Sequence, residues 1–311
     1  LTVLTSVLTA LFNWNFSRRF RHLSFKGLNI KLFLIPVLTF GYYRILTSMY
    51  TTFNVVFLGF VSNDTEVGYF TTATKLYSII MGCFTAFTTV MIPRVSELLS
   101  KGDNSQLQRI YNQTIQLLFV LSLPIICYCL FCTEDIILLL SGTGYEGAYT
   151  PFRIVILLLL VIGMEQIVIQ QFLMATTSNK SILKVSTVGA VVGIVGNLLL
   201  TPHLGAIGSS ISWGISEVSV LIIGLSSLRK LTGINFTYKL FAKDILYVFL
   251  YIPPLYLIKS LDLTIIPNLL LSGVALMAVF VLINIVVNRN EILYDISKKS
   301  LGYITGPLKD K

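Results

Sequence analysis

Nine apolar stretches, separated by short polar segments, decide what this chain can fold into. They run over residues 1–16, 32–61, 67–93, 113–132, 150–176, 185–201, 206–228, 244–260 and 263–287. About 20 helical residues cross the hydrocarbon core of a bilayer, so the last eight are each long enough to span it. The composition agrees. Hydrophobic residues make up 55% of the chain and charged residues 12%, where a soluble domain carries about 25% charged. This is the pattern of a polytopic all-α membrane protein. The chain opens at Leu1 inside an apolar run, without an initiator methionine, and reads as a fragment whose beginning is missing.

A net charge of +9 would suit a nucleic-acid ligand, but the basic residues are placed otherwise. Nineteen of the 23 fall in alternate connections: residues 17–31, 94–112, 177–184 and 229–243, and the tail after 287. The positive-inside rule puts these five segments, with the C-terminus, in the cytoplasm. The charge is topological, and no nucleic-acid partner is expected. Of the other four, Arg153 and Lys259 sit near outer ends, while Arg44 and Lys75 lie inside apolar stretches.

Those two cations are the strongest functional signal. Each costs about 2.5–3.5 kcal/mol near the centre of a lipid-facing helix, so neither is expected to face lipid. Arg44 recurs at helical spacing with Thr47, Ser48, Thr51 and Asn54, making one polar stripe about halfway across the bilayer. Lys75 belongs to a second stripe, Thr71, Lys75, Ser78, Gly82, Thr85 and Thr89. Close packing through small residues explains the glycine and threonines, and snorkelling is the rival account of the lysine. Ile92-Pro93-Arg94 is expected to end this helix, with Glu97 pairing to Arg94.

Further along, Pro124 sits in the middle of its span, and residues 133–149 read as a short re-entrant or interfacial helix followed by a Gly-rich turn. Glu165, Gln166 and Gln170 form a polar patch near mid-depth. Glu217 is a second isolated acid, in a region otherwise dense in small packing residues such as Gly189, Gly193, Gly196, Gly208 and Ser209. Membrane-embedded acids are expensive, which makes Glu165 and Glu217 candidates for coupling or gating. Cys127, Cys129 and Cys132 share one apolar helix with no histidine near, so packing is the expected role and no metal site is expected.

Several motifs now stand in order. They are Asp64-Thr65-Glu66-Val67-Gly68-Tyr69-Phe70 with Ala73 and Lys75, Ile92-Pro93-Arg94-Val95-Ser96-Glu97, Pro151-Phe152-Arg153-Ile154, and Gly205-Ala206-Ile207-Gly208-Ser209-Ser210. Their order and spacing over residues 32–228 resemble the Wzx-type O-antigen and polysaccharide flippases of the MATE-like exporter superfamily. Where that family often carries an acidic residue, this chain has Asn54.

The resemblance implies the C-terminal lobe of a MATE-like transporter of 12–14 helices. Residues 1–16 would end a truncated helix, 17–31 form the cytoplasmic inter-lobe linker, and 32–228 the six-helix lobe. A cytoplasmic loop would follow at 229–243, two peripheral helices at 244–287 and the cytoplasmic tail at 288–311. The implied activity is alternating-access transfer of an undecaprenyl-diphosphate-linked oligosaccharide from the inner to the outer leaflet of the bacterial inner membrane. Polysaccharide polymerase and assembly proteins would be its partners. Arg44, Lys75 and Arg153 suit the diphosphate, and Thr51, Asn54, Gln166 and Gln170 suit sugars. No cofactor is expected beyond a coupling proton or sodium ion. A MATE-type drug antiporter is the alternative, disfavoured by two cations in the cavity. A membrane glycan polymerase or acyltransferase is a further one, disfavoured by the short outer loops and by having only His22 and His203.

Overall fold

The computed structural model describes residues 2–16, 30–176, 178–237 and 242–284. Most of the 17–31 linker, including His22, and the whole 288–311 tail lie outside the described residues. The described residues form α1 (Thr2–Phe16), α2 (Ile30–Val61), α3 (Asp64–Lys101), α4 (Asn104–Phe131), α5 (Thr133–Ser141), α6 (Tyr149–Glu165), α7 (Asn179–Thr232), α8 (Ala242–Lys259) and α9 (Ile265–Leu282). A π-helix (Gln166–Leu173) and a 3-10 turn (Met174–Thr176) connect α6 to α7. No strand occurs among the described residues.

The chain divides into two units, one ending at Phe40 and the other beginning at Gly41. The first holds α1 and the opening of α2, and α1 exposes Leu8, Leu11, Phe12 and Trp14, a surface suited to lipid. In the second unit α3, α4, α6 and α7 pack around two apolar cores. Val95, Leu98, Leu107, Tyr111, Phe172 and Leu228 belong to one, and Phe70, Tyr77, Ile137, Phe152 and Trp213 to the other. Helices α8 and α9 lie against α4 through Cys127, Tyr251, Leu255 and Leu276. The Tyr128 hydroxyl donates to the Leu269 carbonyl at 3.1 Å. Both helices belong to the second unit, and they bury Asp244, Ser272 and Asn284.

Helix α3 corrects the expectation that Ile92-Pro93-Arg94 ends it. The helix runs on through Pro93 to Lys101 and stops at Gly102, whose left-handed φ of 68° closes the last turn. An interior proline costs about 3 kcal/mol. Beyond it, however, Val95 and Leu98 are buried in the same core as Leu107 and Tyr111, and full burial of each such side chain returns about 1.5–3 kcal/mol. The expected pair forms on this extension, with Arg94 Nη1 3.2 Å and Lys101 Nζ 2.6 Å from the Glu97 carboxylate.

The 54 residues of α7 are two antiparallel arms, not one rod. The break is Gly205, at φ 55° and ψ −131°, a conformation essentially reserved for glycine. Past the break the arms close tightly. The Ser216 hydroxyl donates to the Gly189 carbonyl at 2.7 Å, and a Cβ on Gly208 would lie 2.5 Å from the Leu200 carbonyl oxygen. The small-residue run therefore serves backbone approach. Helix α5 takes the place expected of a short helix after α4, and Cys127, Cys129 and Cys132 are all buried.

Candidate functional site

The helical spacing of the α3 stripe survives folding. Lys75, Ser78, Gly82 and Thr89 all lie on the exposed side of α3, while Ala73, Tyr77, Met81 and Thr88 turn into the bundle. The hydroxyls on the stripe are partly committed to their own helix. Ser78 donates to the Thr74 carbonyl and Thr89 to the Thr85 carbonyl, both at 2.7 Å. A hydroxyl bonded in this way turns its remaining lone pairs outward, so the face offers acceptors. Lys75 adds a positive charge, and no ion pair reaches it among the described residues.

The stripe residue Thr85 joins a second layer, where Gln166 Nε2 donates to its hydroxyl at 3.0 Å. Gln166 opens the π-helix, and such insertions re-aim side chains and recur at functional sites. Gln170, one turn on, is half-buried. Gln171, which sequence reasoning passed over, is fully buried, with both amide atoms left without a hydrogen-bond partner.

Glu165 and Glu217 are read separately from the sequence. Both acids are buried in the bundle, 5% and 3% exposed. The Trp213 indole donates to Glu217 Oε1 at 2.7 Å. The ring of Tyr77 meets that indole edge-on, with centroids 5.5 Å apart. No ion pair reaches either acid among the described residues.

A further polar chain joins α2 to α7. Asn197 Nδ2 donates to Asn54 Oδ1 and to the Gly193 carbonyl. The Thr201 hydroxyl donates to Asn197 Oδ1 at 2.8 Å and lies 3.2 Å from the Ser209 hydroxyl. Asn54 is thus held by the bundle. The i, i+4 spacing of Asn197 and Thr201 was a readable signal of this chain, but their partner on α2 was not. Arg153 pairs with Glu134 of α5, Nη2 to Oε1 at 2.9 Å. Arg44 and Thr51 are on the helical backbone of α2, and their side chains lie outside the described residues.

Six described segments are long and apolar enough to cross a membrane, the two-armed α7 among them, so this is a multi-pass membrane protein. Two relatives carry provisional names. One, a low-salt glycan biosynthesis flippase of Haloferax volcanii, is 20% identical over 192 residues, 61% of this chain and 40% of that protein. The other, an O-antigen transporter of Shigella dysenteriae, is 24% identical over 188 residues, 59% of this chain and 45% of that protein. The chain therefore spans less than half the length of these relatives. Among solved structures, the lipid II flippase MurJ in an inward closed conformation superposes with a TM-score of 0.64 at 15% identity, covering 78% of this chain and 52% of its own. That likeness gives the fold, the multi-helix scaffold expected from the motifs. Over residues 1–150 the chain matches the family described as polysaccharide biosynthesis protein, and the resemblance to the polysaccharide flippases holds.

Proposed function

We propose that this chain forms part of a flippase that carries a polyprenyl-diphosphate-linked oligosaccharide from the inner to the outer leaflet of the bacterial inner membrane. The cytoplasmic end holds the basic loops and the C-terminus. The observation that carries the reading is Lys75, a cation about 12 Å into an apolar span, on a stripe of α3 that the bundle leaves exposed. A lipid-facing surface has no use for that charge, whereas a cavity taking a diphosphate does. The outward acceptors of Ser78 and Thr89 complement the hydroxyl donors of a glycan. Arg44, on the neighbouring span in sequence, is the second phosphate ligand, and Thr51, Gln166 and Gln170 extend the sugar-facing set, whereas Asn54 is taken up by its buried bond from Asn197. Arg153 guards the outer mouth, and Glu165 and Glu217 couple translocation to an ion. Polymerase and assembly proteins of the same glycan pathway receive the product.

The test uses the full-length protein in a strain with no second copy. Arg44→Ala and Lys75→Ala are expected to abolish surface polysaccharide while the amount of protein in the membrane stays unchanged. Arg44→Lys is expected to restore function in part, because a point charge cannot make the two-pronged contact of a guanidinium. Normal surface polysaccharide in both alanine variants would end the cationic-cavity reading.

A further inference from the structure

Between α4 and the last two helices lies a small cavity that the flippase reading does not use. Phe119 and Leu123 of α4, Asp244, Tyr247 and Tyr251 of α8, and Asn284 just past α9 line it. It admits the centre of a water-sized sphere over about 10 Å³, room for one small occupant. Two of its polar side chains come from different helices and are held away from solvent. Asp244 and Asn284 are each 5% exposed. Asp244 Oδ2 has no hydrogen-bond partner, and neither has Asn284 Oδ1. The amide is fixed in this sense, because its Nδ2 donates to the Phe280 carbonyl at 2.9 Å. Turning it over would set oxygen against oxygen. Both atoms left over on the wall are therefore acceptors. Among the described residues no ion pair reaches Asp244, and Lys243, beside it in sequence, is exposed.

A carboxylate taken out of water is paired or holds a cation. Carboxylate and amide oxygens are hard donors, suited to alkali and alkaline-earth ions rather than to softer transition metals. Charge and space decide between those two groups. A calcium ion takes about 6–8 oxygens, more than this small wall supplies, and one carboxylate leaves its second charge unbalanced. A singly charged ion is balanced by Asp244 alone. We infer that Asp244 and Asn284 bind one alkali-metal cation, which ties the start of α8 to the end of α9 against α4. The ion is structural. It neutralises a buried acid and joins two helices that otherwise meet α4 mainly through apolar side chains. This site stands apart from the flippase reading and takes no part in coupling.

The full-length protein, in nanodiscs of phosphatidylcholine at neutral pH, is to be unfolded by heat at fixed ionic strength. N-methylglucammonium chloride is replaced stepwise by potassium or sodium chloride. An alkali salt should raise the midpoint, in step with the logarithm of its concentration once the site is half filled. A midpoint that moves with neither salt overturns the inference and leaves water alone in the cavity. The rise should be lost in Asp244→Asn and kept in Asp262→Asn, which removes an exposed acid. A rise kept in Asp244→Asn, or lost in both variants, overturns the inference equally. Asn284→Asp supplies an arm that does not depend on a loss. A second carboxylate on the same wall balances a divalent ion, so the midpoint should climb with calcium chloride at concentrations to which the wild type is indifferent. No calcium response in Asn284→Asp overturns the inference even where Asp244→Asn fails to fold.

Discussion

Replacing Gly205 by alanine tests how the two arms of α7 are held open at their turn. The second arm begins at Ala206, whose backbone N–H donates to Glu66 Oε2 of α3 at 2.7 Å. A Cβ on Gly205 would sit 2.4 Å from that same oxygen. Glu66 is itself fixed at the start of α3, where its N–H donates to Asn63 Oδ1 at 2.9 Å. Two costs follow. Alanine at φ 55° and ψ −131° carries backbone strain of about 1–3 kcal/mol. The Glu66 carboxylate, at the end of a flexible side chain, swings away and gives up the helix start, a loss of about 0.5–2 kcal/mol. Gly205→Ala should therefore destabilise by about 1.5–5 kcal/mol. In a Glu66→Ala background only the strain remains, so the same substitution should cost about 0.5–2 kcal/mol less. The buried thiols of Cys127, Cys129 and Cys132 report unfolding in a denaturant titration once the exposed Cys83 is replaced by serine. An unchanged midpoint for Gly205→Ala, or an identical cost in both backgrounds, would refute the argument.

Three other outcomes are expected. Asn197→Leu should destabilise by about 1–3 kcal/mol, because Asn54 and Thr201 lose a buried partner, and the same thiol assay reads it. Asp103 caps α4, and the N–H of Gln106, then Ser105, hold its carboxyl below the usual aspartate range. Its contribution is complete above the unfolded-state value and is lost as pH falls through the lower folded-state value, so the protection factor of the Gln106 amide, with the intrinsic pH dependence of exchange removed, should fall in acid and lose that dependence in Asp103→Asn. In a cysteine-free background, Gly144→Cys should be labelled from outside the cell and Ser105→Cys should not, and outside labelling at Ser105→Cys would reverse the orientation.

Much of the architecture is written locally. Span length and loop charge depend only on neighbouring residues, and they mark every apolar helix, the two halves of α7 and the short helix after Cys132. The α3 stripe is equally local, since 100° per residue puts Lys75, Ser78, Gly82 and Thr89 on one side whatever surrounds them. The end of α3 departs from its local signal for the converse reason. Pro93 is a local stop signal, and only the burial of Val95 and Leu98 by α4 overrides it. The sites depend on rotation and adjacency, which no periodicity contains. Glu165 and Glu217 are isolated acids in sequence, and it is the packing of the bundle that buries both. Asn54 acquires a role from Asn197, and Glu66 from Ala206, each across more than a hundred residues. The sequence by itself determined which segments are apolar helices and which face of each is polar, because solvation acts residue by residue. Which polar faces meet was decided by the tertiary structure, because backbone approach through glycine and serine fixes the rotation and depth of each helix against its neighbours.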